Sequence, residues 1–532
     1  MAARPLLAGL TRSLFLREGL SGTQVELLDA EGIDGFPPMP DGAGADLLGL
    51  AHEALLAPVD RKARGAHYTP PALADRLVAL SLPSTATGVL DPACGGGAFL
   101  LAAGRALVER GLSPSEAVRG LYGVDLDPLA VDVARAATAL WSGGTPADVV
   151  EADFLVLASE PLALARASEA RTEWIDAVVG NPPFASPLRG GAPGGLGAYT
   201  DQAGRFLVRA LDVLRSGGRV GLIQPQSVLT ARDAEAVRAA VGEQAALRAL
   251  WVAEEKVFSA STHVVAVIAE KGGVDGPVAL YGGADVAPRG SATGSWGTLA
   301  ARARGLPEVD LGDGPTVGSL ATATAGFRHQ FYGLLDHVTE DGSGAPLVTA
   351  GLIDPVHCAW GERTTRIGGR TWSRPTVDPD ALEPGLGEWF AARLVPKLLV
   401  ASQTKVVEVV VDEVGALLPS VPVVSVEASV EHLWDLAAAL SSPPVTAWCV
   451  ERSLGSGLSA DAVRLSAKLL LEVPLPTDRR AWTWAAKTLR AVPGAADRRQ
   501  TLLDYARLSC QAFRVPDGEV DALLAWWSHR LP

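Results

Sequence analysis

Short apolar segments alternate with alanine-rich stretches of helical periodicity between about residue 85 and residue 270. Six apolar segments have the length of buried strands: Gly88–Asp91, Leu121–Asp125, Asp148–Ala152, Asp176–Gly180, Arg219–Gln224 and Val264–Ala269. Helices are predicted at 97–110, 128–140, 201–215 and 232–241. Because strands that are joined by helices run parallel and are covered on both faces, this pattern predicts an α/β fold with a doubly wound, Rossmann-like sheet.

The regions around this pattern divide the 532-residue chain into four parts. A helical N-terminal extension is predicted at 1–60, and the alternating region forms a domain at 61–285. The segment 286–320 is rich in Gly, Ala, Pro, Ser and Thr, which predicts a linker. A second, C-terminal domain of mixed α/β structure is predicted at 321–532, where turns and Trp residues become frequent.

The composition is that of a cytoplasmic protein with no membrane span. At 48% hydrophobic residues, the chain is too apolar for global disorder. The 4 cysteines are scattered and no pair has metal-ligand spacing, so neither a disulfide framework nor a metal site is predicted. Arg12 and Arg17 interrupt the N-terminal apolar residues, which argues against a signal peptide, and no run of about 18 apolar residues occurs.

A glycine-rich turn follows the first predicted strand, in the segment VLDPACGGGAFLLAA. Glycine permits a close approach of the backbone to a ligand, and ligands of doubly wound sheets bind at the carboxyl ends of the strands. A turn of this kind is a weak signal by itself, because many nucleotide-binding folds contain one. The candidate cofactor-binding residues in this turn are Asp91, Ala93, Gly95 and Gly97.

Acidic residues also end the second and third predicted strands. Asp125 can accept hydrogen bonds from both hydroxyls of a ribose, whereas Asp127 is predicted to cap the next helix. Asp153 can accept a hydrogen bond from an adenine amino group, and Phe154 either stacks on that ring or packs in the core. Three acidic strand ends in succession predict an adenosyl cofactor, and the Gly-Lys-Ser/Thr sequence of a phosphate-binding loop is absent.

The fourth predicted strand is followed by Asn181, Pro182, Pro183 and Phe184. The prolines remove two backbone donors, so the Asn181 side-chain oxygen and the Pro182 carbonyl form an acceptor-rich edge. Such an edge suits a planar amino group whose lone pair is delocalised into a ring. Two acceptors that draw its hydrogens out of the plane localise the lone pair, and the nitrogen can then attack a sulfonium methyl group. Phe184 can stack on a base that has turned out of a duplex.

In their order along the chain, these motifs resemble those of the gamma-class (Taq-type) adenine-N6 DNA methyltransferases. The segment GAHYTPPALADRLV is similar to the motif that precedes the glycine-rich turn in this class. The resemblance implies a class I methyltransferase sheet that binds S-adenosyl-L-methionine, with Thr69 and Pro70 beside the methionine part. The segment VFSASTHVVAVIAEK resembles a later one whose aromatic residue packs on the flipped base, which implies that Phe258 is the partner of Phe184.

The resemblance covers nearly the whole chain. Stretches between 396 and 476 match the pattern of the family's target-recognition domain, which implies that the domain at 321–532 recognises double-stranded DNA. It further implies a role in restriction–modification or phage defence, with defence-system proteins as possible partners. Two positions depart from the family pattern: Phe184 stands where Tyr is common, and Gly96 stands where Ser or another small residue is common.

The charge balance bears on the nucleic-acid partner. The net charge of −14 is unfavourable for phosphate binding, which depends on clustered Lys and Arg. Local clusters matter more than the global value, and Arg363, Arg366 and Arg370 form one such cluster. These three arginines are candidates for contacts with DNA phosphates; the alternative is a solvated surface.

Two other functions remain open from the sequence. A methyltransferase with this acceptor pair could act on adenine in RNA or on a glutamine amide in a protein, because the chemical problem is the same. The second of these alternatives is a non-catalytic DNA-recognition subunit of a defence complex, which the acidic charge allows. The presence of Asp91, Asp125, Asp153 and Asn181 argues against the loss of catalysis.

Overall fold

The computed structural model contains two compact units, residues 1–304 and residues 305–532. It describes residues 3–20, 25, 44–55, 69–157, 175–184, 201–255, 257, 263–326, 328–454 and 463–532. Within these ranges, no helix combines the length and the apolar character that a membrane span requires.

In the described part of the first unit, a nine-stranded mixed sheet forms the core. Its strands are β1 (Val89–Asp91), β2 (Leu121–Asp125), β3 (Asp148–Glu151), β4 (Ile175–Gly180), β5 (Leu214–Pro225), β6 (Ala245–Val252), β7 (Val264–Lys271), β8 (Val278–Gly282) and β9 (Ala287–Ala292). The order across the sheet is β3-β2-β1-β4-β5-β7-β6-β8-β9. Strands β1 to β5 are parallel to their neighbours among themselves, whereas β7 is antiparallel to both β5 and β6. The predicted α/β sheet is confirmed, and all six predicted strands coincide with observed ones.

Helices precede, connect and follow the strands of this sheet. They are α1 (Ala3–Arg17), α2 (Asp46–Leu55), α3 (Pro71–Ser81), α4 (Ala98–Glu109), α5 (Pro114–Ala117), α6 (Pro128–Ser142), α7 (Gln202–Val213), α8 (Glu235–Gln244) and α9 (Trp296–Ala303). The predicted cap of α6 is confirmed, because the Asp127 side chain accepts a hydrogen bond from the Leu129 amide at 3.0 Å. Since α4 and α6 begin within seven residues of the strands they follow, the intervening turns lie at the carboxyl edge of the sheet.

The N-terminal helices α1 and α2 belong to the first unit and share a hydrophobic cluster with α4 and α6. Leu14 of α1 and Leu48 of α2 are fully buried in this cluster, together with Leu101 of α4. An ion pair of 2.5 Å joins Arg4 of α1 to Asp132 of α6. The predicted helical extension is therefore a packed part of this unit.

The segment 286–320, which the sequence predicts to be a linker, contains regular structure. Strand β9 pairs with β8 at the edge of the sheet, and α9 packs against β6 and β8. The boundary between the compact units lies after Arg304. Between 286 and 304 the predicted linker is occupied by β9 and α9, and β9 is a largely exposed edge strand, which tolerates the Pro and Gly residues that suggested a loop.

In its described residues, the second unit contains two four-stranded sheets and C-terminal helices. The strands of these sheets are β10 (Ala321–Ala325), β11 (Thr339–Glu340), β12 (Ala345–Val348), β17 (Pro375–Val377), β18 (Lys397–Val400), β20 (Val409–Asp412), β21 (Leu418–Pro419) and β22 (Val424–Ala428). Their orders are β10-β22-β18-β20 in the first sheet and β11-β17-β12-β21 in the second. Short strand pairs are formed by β13 (Ile353–Asp354) with β14 (His357–Cys358), β15 (Thr365–Ile367) with β16 (Arg370–Trp372), and β19 (Gln403–Thr404) with β23 (Val463–Arg464). The helices are α10 (Arg328–Leu334), α11 (Pro384–Ala391), α12 (Val430–Leu440), α13 (Pro443–Ser453), α14 (Ala467–Leu471), α15 (Arg479–Ala491), α16 (Arg498–Ala512) and α17 (Asp517–Arg530).

A buried ion pair holds the first of these sheets together. The Lys397 side chain of β18 is fully buried, and its Nζ lies 2.5 Å from Oδ2 of Asp412 on the neighbouring strand β20. The Asp412 carboxylate also accepts hydrogen bonds from the amides of Ala416 and Leu417, each at 3.0 Å. Because burial opposes the charged form, desolvation lowers the pKa of Lys397 even though Asp412 is adjacent.

Candidate active site

The carboxyl ends of the central parallel strands bring the predicted site residues of the first unit together. Strand β1 lies between β2 and β4 and is parallel to both. Asp91 and Asp125 are the last residues of β1 and β2, and Asn181 directly follows β4. The candidate cofactor-binding carboxylates and the candidate catalytic amide therefore share one edge of the sheet.

The glycine-rich turn after β1 folds against the end of β2. Gly95 and Gly97 have φ angles of +51° and +89°, a region that L-residues with a side chain rarely adopt. The Gly95 amide donates a hydrogen bond to Oδ2 of Asp125 at 2.8 Å, and the Asp127 amide donates to Oδ1 at 2.9 Å. These two bonds fix the Asp125 carboxylate beside the turn, where the sequence predicts the ribose hydroxyls.

Asp91 is almost completely buried at the end of β1. The Ala93 amide donates a hydrogen bond to its Oδ1 at 3.1 Å. Gly180 at the end of β4 leaves the space for this carboxylate, since a Cβ atom on Gly180 would lie 2.6 Å from Asp91 Oδ1. Desolvation, together with the negative charge of Asp125, raises the pKa of Asp91 to about 8. A cationic ligand at this position would favour the ionised form.

The residues after β3 form a turn and an aromatic contact with α7. The Asp153 carboxylate accepts a hydrogen bond from the Leu155 amide at 2.9 Å, which stabilises the turn beyond the strand. Phe154 is buried, and its ring stacks on Phe206 of α7 with centroids 5.6 Å apart. The structure favours core packing for Phe154 over stacking on a cofactor, because another side chain of the protein covers one face of its ring.

Asn181 contacts the segment that precedes the sheet. Its Nδ2 donates a hydrogen bond to Oγ1 of Thr69 at 3.3 Å, although the two residues are 112 positions apart in the sequence. Thr69 is buried just before α3, and Pro70 is the exposed residue at the start of that helix. Because Thr69 engages the nitrogen, the amide is oriented with its acceptor oxygen on the opposite side.

The remaining residues of the acceptor edge lie directly beyond β4. Pro182 is buried, and Phe184 is half-buried against the main hydrophobic cluster of the first unit, which also contacts Val257. Phe258, which the sequence predicts to face Phe184 across the base, follows Val257 and lies outside the described residues.

The three arginines that the sequence assigns to DNA phosphates belong to the second unit. Arg363 donates to both carboxylate oxygens of Asp354, at 3.1 and 2.6 Å, so its charge is compensated within the protein. Arg366 and Arg370 lie on the hairpin formed by β15 and β16 and are exposed. The structure therefore leaves Arg366 and Arg370 as candidates and disfavours Arg363.

Residues 43–281 match the family model described as N-6 DNA Methylase. This range contains strands β1 to β7 and every residue of the edge formed by Asp91, Asp125 and Asn181. The matched range is similar to this family and is named the N-6 DNA methylase domain after the match. The enzyme class that the sequence predicts, an adenine-specific DNA methyltransferase, is confirmed by this match.

Solved structures of restriction–modification proteins resemble the chain that carries this N-6 DNA methylase domain. The type IIL restriction-modification enzyme MmeI, solved in complex with DNA, aligns over 95% of this chain and 83% of its own, with a TM-score of 0.62 and 13% identity. A modification subunit of a putative type I restriction enzyme from Vibrio vulnificus YJ016 aligns over 48% of this chain and 55% of its own, with a TM-score of 0.36 and 19% identity. The TM-score of 0.62 with MmeI establishes a shared fold, whereas the score of 0.36 does not.

The residues of the N-6 DNA methylase domain fit S-adenosyl-L-methionine, which carries a sulfonium and an ammonium group. Asp91 is buried and Asp125 is partly buried at the same edge, and desolvation raises the pKa of both carboxyls. A cationic ligand beside these carboxyls would stabilise their ionised form, which burial disfavours in the free protein. Gly95 and Gly97 leave the adjoining turn without side chains.

Three features of the N-6 DNA methylase domain were not predicted from the sequence motifs. Gly180 admits the Asp91 carboxylate, and His52 of α2 places its Nε2 4.0 Å from Oδ2 of Asp127. A single Gly in a strand or a His in an N-terminal helix is usually a packing residue, so neither is distinctive in the sequence. The third feature is visible in the composition: Asn181 is the single asparagine among 532 residues. Its one occurrence directly follows β4.

Proposed function

We propose that the protein transfers the methyl group of S-adenosyl-L-methionine to the N6 amino group of a flipped-out adenine in double-stranded DNA. The observation that carries the proposal is the position of Asn181, whose amide follows β4 beside β1 and is oriented by Thr69. The family match supports activity on adenine N6, and the buried carboxyl of Asp91 with the partly buried carboxyl of Asp125 supports a cationic cofactor.

In this proposal, Asn181 and Pro182 accept the two hydrogens of the adenine amino group. The Asn181 side-chain oxygen and the Pro182 carbonyl draw these hydrogens out of the ring plane and localise the lone pair on the nitrogen. When bound, the cofactor would supply a methyl group on a sulfonium sulfur, and transfer to the nitrogen would break the carbon–sulfur bond and release one N6 proton to solvent. The site therefore needs positioning and electrostatic stabilisation but no nucleophile of its own.

The target base must leave the duplex to reach this edge, at a cost of a few kcal/mol. Phe184 is proposed to stack on one face of the extruded base and Phe258 on the other. The second unit is proposed to be the target-recognition domain, in which Arg366 and Arg370 of the exposed hairpin contact DNA phosphates. The shared fold with MmeI, which was solved with bound DNA, supports this assignment and a role in restriction–modification or phage defence with defence-system partners.

The test is transfer of a tritiated methyl group to DNA, RNA and protein acceptors in separate reactions, with the modified base identified by mass spectrometry. We expect label in double-stranded DNA as N6-methyladenine. Asn181→Ala removes one acceptor of the transition state and is expected to lower the transfer rate by about 100-fold or more while cofactor affinity stays unchanged. Label in RNA or protein alone, or no transfer to any DNA, would contradict the proposal.

A further inference from the structure

One face of the N-terminal helix α2 lies against the elements that form the cofactor turn. Asp46, Gly49 and His52 follow each other at intervals of three residues, which places them on neighbouring positions of the helix surface. Asp46 contacts α4 and Gly49 contacts the glycine-rich turn. His52 lies near Asp127, the residue that directly precedes α6. This helix precedes every segment that resembles the methyltransferase motifs.

The contact between α2 and the turn is made by two glycines. A Cβ atom on Gly96 would lie 2.4 Å from the Cα atom of Gly49, so the backbones touch and no side chain fits between them. Gly95 and Gly97 need glycine because their φ angles are positive, whereas Gly96 has no positive φ. The close approach of α2 is therefore what requires glycine at position 96.

Ionic and apolar contacts hold α2 in this place. Arg105 of α4 lies 3.2 Å from Asp46 of α2 and 2.8 Å from Asp75 of α3, so one guanidinium links three helices. These pairs are partly exposed and contribute little by themselves. Leu48 is fully buried in the hydrophobic cluster shared with α1 and α6, and its burial is the larger contribution.

His52 extends the contact to the carboxylates at the end of β2. Its ring is buried, and Nε2 lies 4.0 Å from Oδ2 of Asp127. The Asp127 amide in turn donates a hydrogen bond to Asp125, the candidate ribose ligand. The charge of His52 also lowers the pKa of Asp125 and so opposes the effect of desolvation there. His52 thus acts on the ribose-binding residues from a helix outside the sheet.

We propose that α2 is a clamp on the cofactor turn, with Gly49 and Gly96 fixing the turn against the helix and His52 acting as a positioning residue for Asp125 and Asp127. The inference rests on the proposed function, because this turn is taken to bind the adenosyl cofactor. A turn that contains three successive glycines is intrinsically mobile, and ordering it during binding costs conformational entropy. The clamp removes that cost by holding the turn before the ligand arrives.

The test compares three variants by calorimetric titration with S-adenosylhomocysteine, the product, so that no catalysis is required. Gly96→Ala forces the turn and α2 apart and is expected to raise Kd by about tenfold or more. His52→Gln is expected to raise Kd less, without a change in Tm. Gly242→Ala on α8 is the matched control, because a Cβ atom there meets nothing within 4 Å. Hydrogen exchange of the amides at 93–97 is expected to accelerate in Gly96→Ala alone.

The outcomes separate this inference from the proposed function. Wild-type affinity in both Gly96→Ala and His52→Gln would overturn the clamp. So would a Gly96→Ala protein that loses affinity only in proportion to a general loss of Tm, while His52→Gln binds normally. A wild-type protein that binds neither S-adenosylhomocysteine nor S-adenosylmethionine would contradict the proposed function itself.

Discussion

The raised pKa of Asp91 predicts that the protein releases a proton when the cofactor binds. Burial places this pKa at about 8, so the carboxyl of the free protein is about nine-tenths protonated at about pH 7. If binding requires the carboxylate, each cofactor bound displaces about 0.9 proton at about pH 7 and about 0.1 proton at about pH 9. The same linkage increases the affinity about tenfold between these two pH values.

Calorimetry in two buffers with different ionisation enthalpies measures this proton directly. The observed binding enthalpy at about pH 7 is expected to differ between phosphate and Tris in proportion to the protons released. The control is the same pair of measurements at about pH 9, where the carboxyl is already ionised and the difference between buffers is expected to shrink to about one-ninth. A wild-type enthalpy that is independent of the buffer, with an affinity that is constant between about pH 7 and about pH 9, would refute the reasoning.

The raised pKa of Asp91 also predicts how the stability of the folded protein depends on pH. Because the pKa of Asp91 is raised in the folded state, the folded protein holds this proton more tightly than the unfolded chain does. Its contribution to stability is therefore fully present below about pH 4 and is lost as the pH rises to about 8. The free energy of unfolding of the cofactor-free protein is expected to fall across that window, and Asp91→Asn is expected to flatten the fall.

Three further perturbations test other parts of the structure. Gly180→Ala is expected to lower the free energy of unfolding by about 1–3 kcal/mol in denaturant titrations, because its Cβ atom would meet a buried carboxylate at 2.6 Å; an unchanged midpoint would contradict the packing described. Lys397→Ala leaves Asp412 buried without its cation and is expected to cost about 3–5 kcal/mol in the same assay, whereas a loss below about 1 kcal/mol would show that the pair is not needed. Replacing both Arg366 and Arg370 with Gln is expected to reduce the slope of log K for DNA against log salt by about 2, and an unchanged slope would remove them from the interface.

The sequence predicts the central sheet well because most of its strands are short, apolar and separated by helices. The cap at Asp127 and the strand ends at Asp91 and Asp125 depend on neighbouring residues, so they can be predicted from the sequence without tertiary information. Strand β6 was missed, since its sequence AALRALWV is rich in Ala, Leu and Arg, which favour helices. It becomes a strand through pairing with β7 and β8, and that stabilisation is not local.

The candidate site was predictable wherever residue type and strand order decide the chemistry. Phe154 shows the limit, because an aromatic residue after a strand end suits a cofactor as well as a core, and only the position of Phe206 distinguishes the two. Gly49 shows the same limit, since a lone helix glycine has no visible partner until the fold brings Gly96 against it. Long-range contacts of this kind depend on three-dimensional packing.

The contact between Asn181 and Thr69 offers a spectroscopic handle, because the chain contains a single asparagine. Selective nitrogen-15 labelling of asparagine would place the isotope at one site in a protein of 55.1 kDa, and its side-chain NH₂ group would give one resolvable pair of resonances. Replacing Thr69 with Val would shift that pair if the hydroxyl is its acceptor. Titration with DNA would then report on this amide without any assignment of the remaining spectrum.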